Sequence, residues 1–259
     1  MKSEILYGMH PVFEALKARR RKFFEVTVAT GKRSNRVEEI KRYAESLKIS
    51  VKESPPVRIH STTGADRHQN IIARVSSYPS VRLADILNQP ESTGSASFLL
   101  LLDNIVDPNN LGALIRTAVA VGIEGVVITR HRSASPTPVV SKASAGALEH
   151  VRLAIVANIT DTIKLLKKKR FWIAGMDGHC NDAIYDSDLS GAIAIVIGGE
   201  EKGLRPLVKK HCDMLLSIPQ KKTINSLNAS AAGAIAMYEV FRQRTVLLKS
   251  VNPKRLCPD

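Results

Sequence analysis

Apolar residues in this chain fall into short unbroken runs, separated by segments whose apolar positions recur three and four apart. Phe98-Leu99-Leu100-Leu101-Leu102 has the length of a buried strand, and after it Leu111, Leu114, Ile115, Ala118 and Val119 fall on one face of a helix. Ile195-Val196-Ile197 reads as a second buried strand running into the glycine-rich turn Gly198-Gly199-Glu200-Glu201-Lys202-Gly203. Leu216-Ser217-Ile218-Pro219 reads as a third, followed by a loop and a helix start at 226–230. Upstream, 25–29 and 49–51 read as strands flanking a helix from about 35 to 47, and 70–75 reads as another strand. Strands without polar alternation, each leading to a helix, predict an α/β chain whose parallel sheet gathers three loops at one edge.

Turn-rich composition marks a division. Ser76-Ser77-Tyr78-Pro79-Ser80 and Gln89-Pro90-Glu91-Ser92-Thr93-Gly94-Ser95 flank a short amphipathic stretch over 81–87. We therefore expect a small α/β domain over 1–76, a linker over 77–96, a larger domain over 97–247 and a tail over 248–259.

Charge narrows the partner. With 38 Lys and Arg against 24 Asp and Glu the chain carries a formal +14, which favours a polyanion, nucleic acid first. Only 5% of residues are aromatic, so grip on phosphate and shape should outweigh base stacking. Arg19, Arg20, Arg21, Lys32, Arg33 and Arg36 are the candidate phosphate contacts. Cys180, Cys212 and Cys257 are odd in number and form no Cys-x-x-Cys pair, which fits a reducing cytoplasm and indicates neither a disulfide framework nor a zinc site. Asp177 and His179 beside Cys180 match no common ligand spacing, so no metal is expected. His10 and His68 lack a neighbouring nucleophile and are assigned no chemistry. No run approaches about 18 apolar residues and the first residues carry no signal-like apolar core, so a membrane span and export are not expected.

The junction after the first apolar run carries the sharpest chemistry. Asp107-Pro108-Asn109-Asn110 is turn and N-cap composition, which places Arg116 on the second turn of the helix. Helical side chains lean back over positions three and four before them, here Ala113 and Gly112, leaving the guanidinium a path toward Asn110. A helical glycine costs about 1 kcal/mol against alanine, so Gly112 calls for a reason, and close approach of a substrate backbone is one.

Together, residues 103–117, 195–204 and 216–230 resemble the three signature motifs of the SpoU/TrmH family of RNA ribose 2′-O-methyltransferases, in the right order and spacing over roughly 97–245. The segments Tyr7-Gly8-Met9-His10-Pro11-Val12 and His68-Gln69-Asn70-Ile71-Ile72-Ala73 resemble the N-terminal substrate-binding domain of that family's ribosomal-RNA branch. Three departures stand out: Glu201 where the family's second motif has glycine, and Gln220 and Lys222 in the third. In the N-terminal segment Asn70 stands where glycine is usual, and asparagine tolerates the positive φ such a turn needs.

The resemblance implies a parallel-sheet domain with a deep trefoil knot, preceded by a small ribosomal-protein-like RNA-binding domain. It implies S-adenosylmethionine as cofactor, a homodimer, and a structured RNA as substrate: a guanosine of large-subunit ribosomal RNA by preference, transfer RNA as the alternative. A noncatalytic RNA-binding or ribosome-assembly protein on the same scaffold is the other class. Carried onto this chain, Arg116 acts on the ribose hydroxyl, and Asn110, Glu200, Ser226 and Asn228 support the site. Gly198, Gly199, Glu200, Gly203, Ile218 and Leu227 cradle the cofactor. Asn228 also has the composition of an N-cap for the last helix, and the two roles can coexist.

Overall fold

A computed structural model describes residues 3–31, 34–63, 69–88, 96–221 and 226–251. The chain packs as two compact units, one built from residues up to Pro79 with 111–116 and 135–151, the other from 80–110, 117–134 and Arg152 onward.

The first unit begins with β1 (Ser3–Tyr7), α1 (Met9–Ala18), β2 (Phe23–Ala29), α2 (Asn35–Ser46), β3 (Val51–Ser54), α3 (Pro56–Thr63) and β4 (Ile71–Ser76). Its sheet runs β1-β4-β2-β3, with β4 antiparallel to both neighbours and β2 parallel to β3. In β2 the alternation of Val26 and Val28 with Glu25 and Thr27 buries one face, where α1 and α2 supply Val12, Leu16 and Ile40. The opposite face holds a small cluster of Ala29, Ile59 and Ile72 beside α3, so β4 is buried on both faces and shows no alternation. The strand expected at 49–51 lies at Val51–Ser54, where an edge position accepts the polar Lys52, Glu53 and Ser54. Asn70 takes φ +62°, so asparagine does supply the turn that glycine would.

The second unit starts with α4 (Leu83–Leu87) and continues through β5 (Phe98–Asp103), α5 (Pro108–Ala120) and β6 (Gly125–Thr129). After α6 (Pro138–Ala143), whose residues belong to the first unit, come β7 (Leu153–Val156), α7 (Ile159–Lys168), β8 (Trp172–Met176) and β9 (Ile193–Gly198). The chain closes with α8 (Pro206–His211), β10 (Met214–Leu216) and α9 (Ala229–Val251). Six strands lie in the order β10-β8-β9-β5-β6-β7, every pair parallel. β5 is central and wholly buried, which is why its sequence is a continuous apolar run. From β5 the chain builds outward through β6 to β7, then returns to build the other half, so the switch point falls at β5 and β9. Register there pairs Leu102 with Ile197 and Asp103 with Gly198, setting the ends of the first two motif strands side by side. Among the described residues no helix is long and apolar enough to cross a membrane.

The first unit is completed by α6 and a 3₁₀ turn at Ala147–Glu149, which pack on α1 and, for α6, on β1. Residues 111–116 of α5 join them. A Cβ on Gly112 would lie 2.5 Å from Ala143 Cβ and 2.9 Å from Ser144 N. Packing of α5 against the end of α6 therefore already requires glycine at 112, with no substrate backbone needed to account for it.

The basic run after α1 is also spoken for. Arg21 has a fully buried side chain whose Nε donates to Glu149 Oε2 at 2.7 Å and whose Nη1 donates to Glu4 Oε2 at 2.7 Å. Glu149, equally buried, accepts a further bond from Ser141 Oγ at 2.8 Å. Arg20 Nη1 donates to the Val151 carbonyl and Nη2 to that of Pro79 at 3.2 Å, beneath the Tyr78 ring. Arg21, expected to grip phosphate, is a structural clamp, because a fully buried guanidinium held by carboxylates does not reach RNA, and the half-buried Arg20, expected in the same role, is engaged by carbonyls through both Nη atoms.

Candidate functional site

Three loops meet at the C-terminal edge of the parallel sheet, and two of them position their polar residues by local capping. Asp107 caps α5, accepting from Asn109 N at 3.0 Å, and Pro108 occupies the first turn where no N–H is needed. That entry brings the nearly buried Asn110 to the sheet edge. Asn228 caps α9, its Oδ1 accepting from Ser230 N at 2.8 Å and from Ser230 Oγ at 2.5 Å. Its Nδ2 remains free to donate to Asn110 Oδ1 at 3.1 Å and Glu200 Oε1 at 3.4 Å. Asn110 Nδ2 donates to the same Glu200 Oε1. One residue from each expected motif thus enters a single hydrogen-bonded triad, and two amides fix one oxygen of a carboxylate that faces solvent.

Below the triad is a cleft of about 320 Å³ between the loops after β8, β9 and β10. All six residues expected to hold a cofactor, Gly198, Gly199, Glu200, Gly203, Ile218 and Leu227, line it, as does Ser226. The 199–203 turn is drawn tight by Gly203 N donating to Gly199 O at 2.9 Å, with Gly203 at φ +59°. A Cβ on Gly198 would lie 2.5 Å from Gly203 O and closer still to Gly203 C and Leu204 N, so only glycine allows this closure. The turn closes without a positive φ at Glu201, and the family's glycine is not required there. Gln220 lies at the cleft and is exposed, while Lys222 lies outside the described residues.

Two ion pairs that sequence reasoning missed brace these loops. Arg205 closes the 199–205 segment onto Asp103, fully buried at the end of β5, with Nε to Oδ1 at 2.9 Å and its own N–H to Oδ2 at 3.2 Å. An aspartate ending an otherwise apolar strand was the available signal. Lys209 Nζ meets Asp177 Oδ2 at 2.6 Å on the cleft wall. Burial pushes the Asp177 carboxyl up, but Lys209 and the His179 N–H outweigh it and hold it below the ordinary range.

Other expected residues are dispersed. Arg116 belongs to the first unit, is exposed on α5, and has no partner among the described residues. Arg19 is exposed at the end of α1 with φ +52°. Arg36 pairs with Glu39 at 2.7 Å and lies 4.1 Å from the centre of the Phe13 ring. Lys32 and Arg33 fall outside the described residues.

The chain matches the SpoU rRNA methylase family over residues 97–238 and the RNA 2′-O ribose methyltransferase substrate-binding family over 5–81. It is 37% identical over 246 residues to the 23S rRNA (guanosine-2′-O-)-methyltransferase RlmB of Photorhabdus laumondii, covering 94% of this chain and 99% of that one. The Escherichia coli protein of the same name is 35% identical over 249 residues, 94% and 100% of the two chains. The crystal structure of the SpoU methyltransferase AviRb from Streptomyces viridochromogenes in complex with AdoMet superposes with a TM-score of 0.79 at 22% identity, covering 94% and 91%, and shows the shared fold.

Proposed function

The chain belongs to the SpoU rRNA methylase family, and from that membership we propose that it methylates a ribose 2′-hydroxyl of a guanosine in 23S ribosomal RNA, using S-adenosylmethionine. The observation that carries this reading is the Asn110–Glu200–Asn228 triad at the rim of the cleft. The cleft suits the cofactor: Ile197, Leu216, Ile218 and Leu227 offer apolar walls for an aromatic base, and Gly198 and Gly199 line it where the backbones of Gly203 and Asn104 leave no room for a side chain. When bound, the cofactor supplies a methyl group made electrophilic by its sulfonium.

The protein's part is positioning and charge. Glu200, with Oε1 held by two amides, keeps its second oxygen for the ribose hydroxyls. Asn110 and Asn228 fix that carboxylate, so the ribose is held rigidly for in-line attack. Arg116 brings a planar guanidinium cation and is assigned a charge role, not that of a base. It binds the target phosphate and stabilises the developing alkoxide, while water, phosphate or carboxylate takes the proton. Ser226 arranges the third loop, and Arg19 and Arg36, with Lys32 and Arg33, contact the RNA backbone.

We further propose a trefoil knot in the methylase region, a cytoplasmic setting, and a homodimer. Tyr238 and Phe241, exposed and in edge contact at 6.1 Å, and the exposed Val246 and Leu247 support self-association through α9, which light scattering would measure. The test of activity is calorimetric binding of S-adenosylmethionine and its demethylated product, with mapping of 2′-O-methyl groups on in vitro transcribed 23S rRNA. Absence of binding with and without RNA overturns the enzyme; methylation of transfer RNA in place of 23S rRNA overturns the substrate.

A further inference from the structure

Residues 199–203 form a wall with two sides. One faces the cleft described above; the other lines a separate cleft of about 480 Å³, closed by the loop after β5, Asn104 to Asp107, and by Arg132. Arg132 reaches it from the turn after β6, which is elaborately held. The buried Thr129 donates its hydroxyl to the His131 carbonyl at 2.8 Å and lies 2.6 Å from Ser133 Oγ, while Ala134 N donates to Ile105 O at 2.8 Å and ties this turn to the loop after β5. Within it Arg132 sits at φ +57°. A non-glycine residue there costs about 1 kcal/mol or more, a strain that persists only where its surroundings impose it.

What the turn presents is positive charge. Arg130, His131 and Arg132 are exposed, and among the described residues neither arginine's guanidinium has a hydrogen bond or ion pair. Arg20, Arg21 and Arg205, by contrast, are each engaged by carbonyls or carboxylates. Lys202, also exposed, lines the same cleft from the shared wall. Three carboxylates share the cleft: Asp107, whose Oδ1 accepts from Asn109, Glu200, whose Oε1 accepts from two amides, and Glu201.

We propose that this second cleft and the turn beside it form an RNA-phosphate site, in which Arg132 and Lys202 in the cleft, with Arg130 exposed on the same turn, hold backbone phosphates flanking the target ribose. The inference rests on the methyltransferase reading for its substrate. A methyl acceptor must approach from beside the donor, and Glu200 lines both clefts, so a strand gripped in the second delivers its ribose to the first. A planar guanidinium suits phosphate oxygens, and two at one sheet edge select a polyanion over a small anion.

The test uses the full chain and in vitro transcribed 23S rRNA, with affinity measured across salt concentrations. Each lost phosphate contact lowers the slope of log K against log salt by roughly 0.7 to 0.9, so Arg130→Ala/Arg132→Ala should lower it by about 1.5 and weaken binding more than about tenfold at low salt. Affinity for S-adenosylmethionine alone should not change, and Arg130→Lys/Arg132→Lys should restore most of the slope. A double alanine variant with wild-type slope and affinity overturns the phosphate site; so does one that loses cofactor affinity, because the turn would then serve the first cleft. If the wild type neither binds the cofactor nor methylates RNA, the methyltransferase reading fails instead, and the salt slope still decides the phosphate site.

Discussion

Replacing Gly198 with alanine should disable the site more than it damages the fold. The added methyl would stand 2.5 Å from Gly203 O, against an ordinary contact of at least 3.4 Å, so the 203–204 main chain must withdraw by about 1 Å. It has little room to do so on the core side. Leu204 is buried in the cluster with Val208, and Arg205 is pinned to the buried Asp103. The shift therefore passes into 199–203, the wall that carries Glu200. There the Asn228–Glu200 bond, already 3.4 Å long, has no slack. Overpacking of this kind costs about 1–3 kcal/mol, whereas a misplacement of about 1 Å in a catalytic array costs on the order of 10²-fold in rate. Urea unfolding followed by circular dichroism, calorimetry with S-adenosylmethionine and single-turnover methyl transfer would separate the two. We expect a modest loss of stability, weaker cofactor binding and a rate reduced about 10²-fold. Gly191→Ala is the control, since its nearest neighbour would be Trp172 Cδ1 at 3.9 Å. Wild-type stability and rate in Gly198→Ala would refute the argument that this close approach shapes the site.

Arg116→Ala should keep fold and cofactor affinity while single-turnover transfer at saturating RNA falls by orders of magnitude; a near wild-type rate would reduce Arg116 to a surface arginine. Glu149→Ala takes from the buried Arg21 one of its two carboxylate partners, leaving only Glu4, and should cost about 3–5 kcal/mol in urea unfolding, whereas Arg21→Met/Glu149→Leu should recover most of it. Equal losses in the single and double variants would show that the cavity, not the charge, dominates. Because the Asp177 pKa is lowered in the fold, its contribution is present above the ordinary carboxylate range and disappears as pH falls through the lowered value. The stability gap between wild type and Asp177→Asn should thus be flat from about pH 6 to 8 and close below about pH 4, and a gap that widens in acid would contradict the pairing with Lys209.

The central strands were legible because burial on both faces leaves a continuous apolar signature, as in 98–102 and 195–197. The caps at Asp107 and Asn228 were legible because capping chemistry is local. The β3 strand was misplaced because an edge position tolerates charge and erases the alternation. Arg20 and Arg21 were misread for a different reason: the run looks solvated until Glu149, 128 residues from Arg21, is brought against it. Gly112 was misread likewise, since the atoms that exclude a side chain there come from Ala143 and Ser144. What local pattern cannot supply is the identity of a distant partner.

The tie between Arg21 and Glu149 sets a limit on modularity. Family matches end one domain near residue 81 and begin the next near 97, which invites exchanging the N-terminal portion between relatives as a cassette. Such a graft would part the buried Arg21 from Glu149, one of its two carboxylate partners, and strip α6 and the turn at Ala147–Glu149 of the α1 helix against which they pack. A recombinant that keeps its fold must carry residues 135–151 along with the graft, or change positions 21 and 149 together. The heritable module here is discontinuous, and its seam follows side-chain charge rather than the order of the chain.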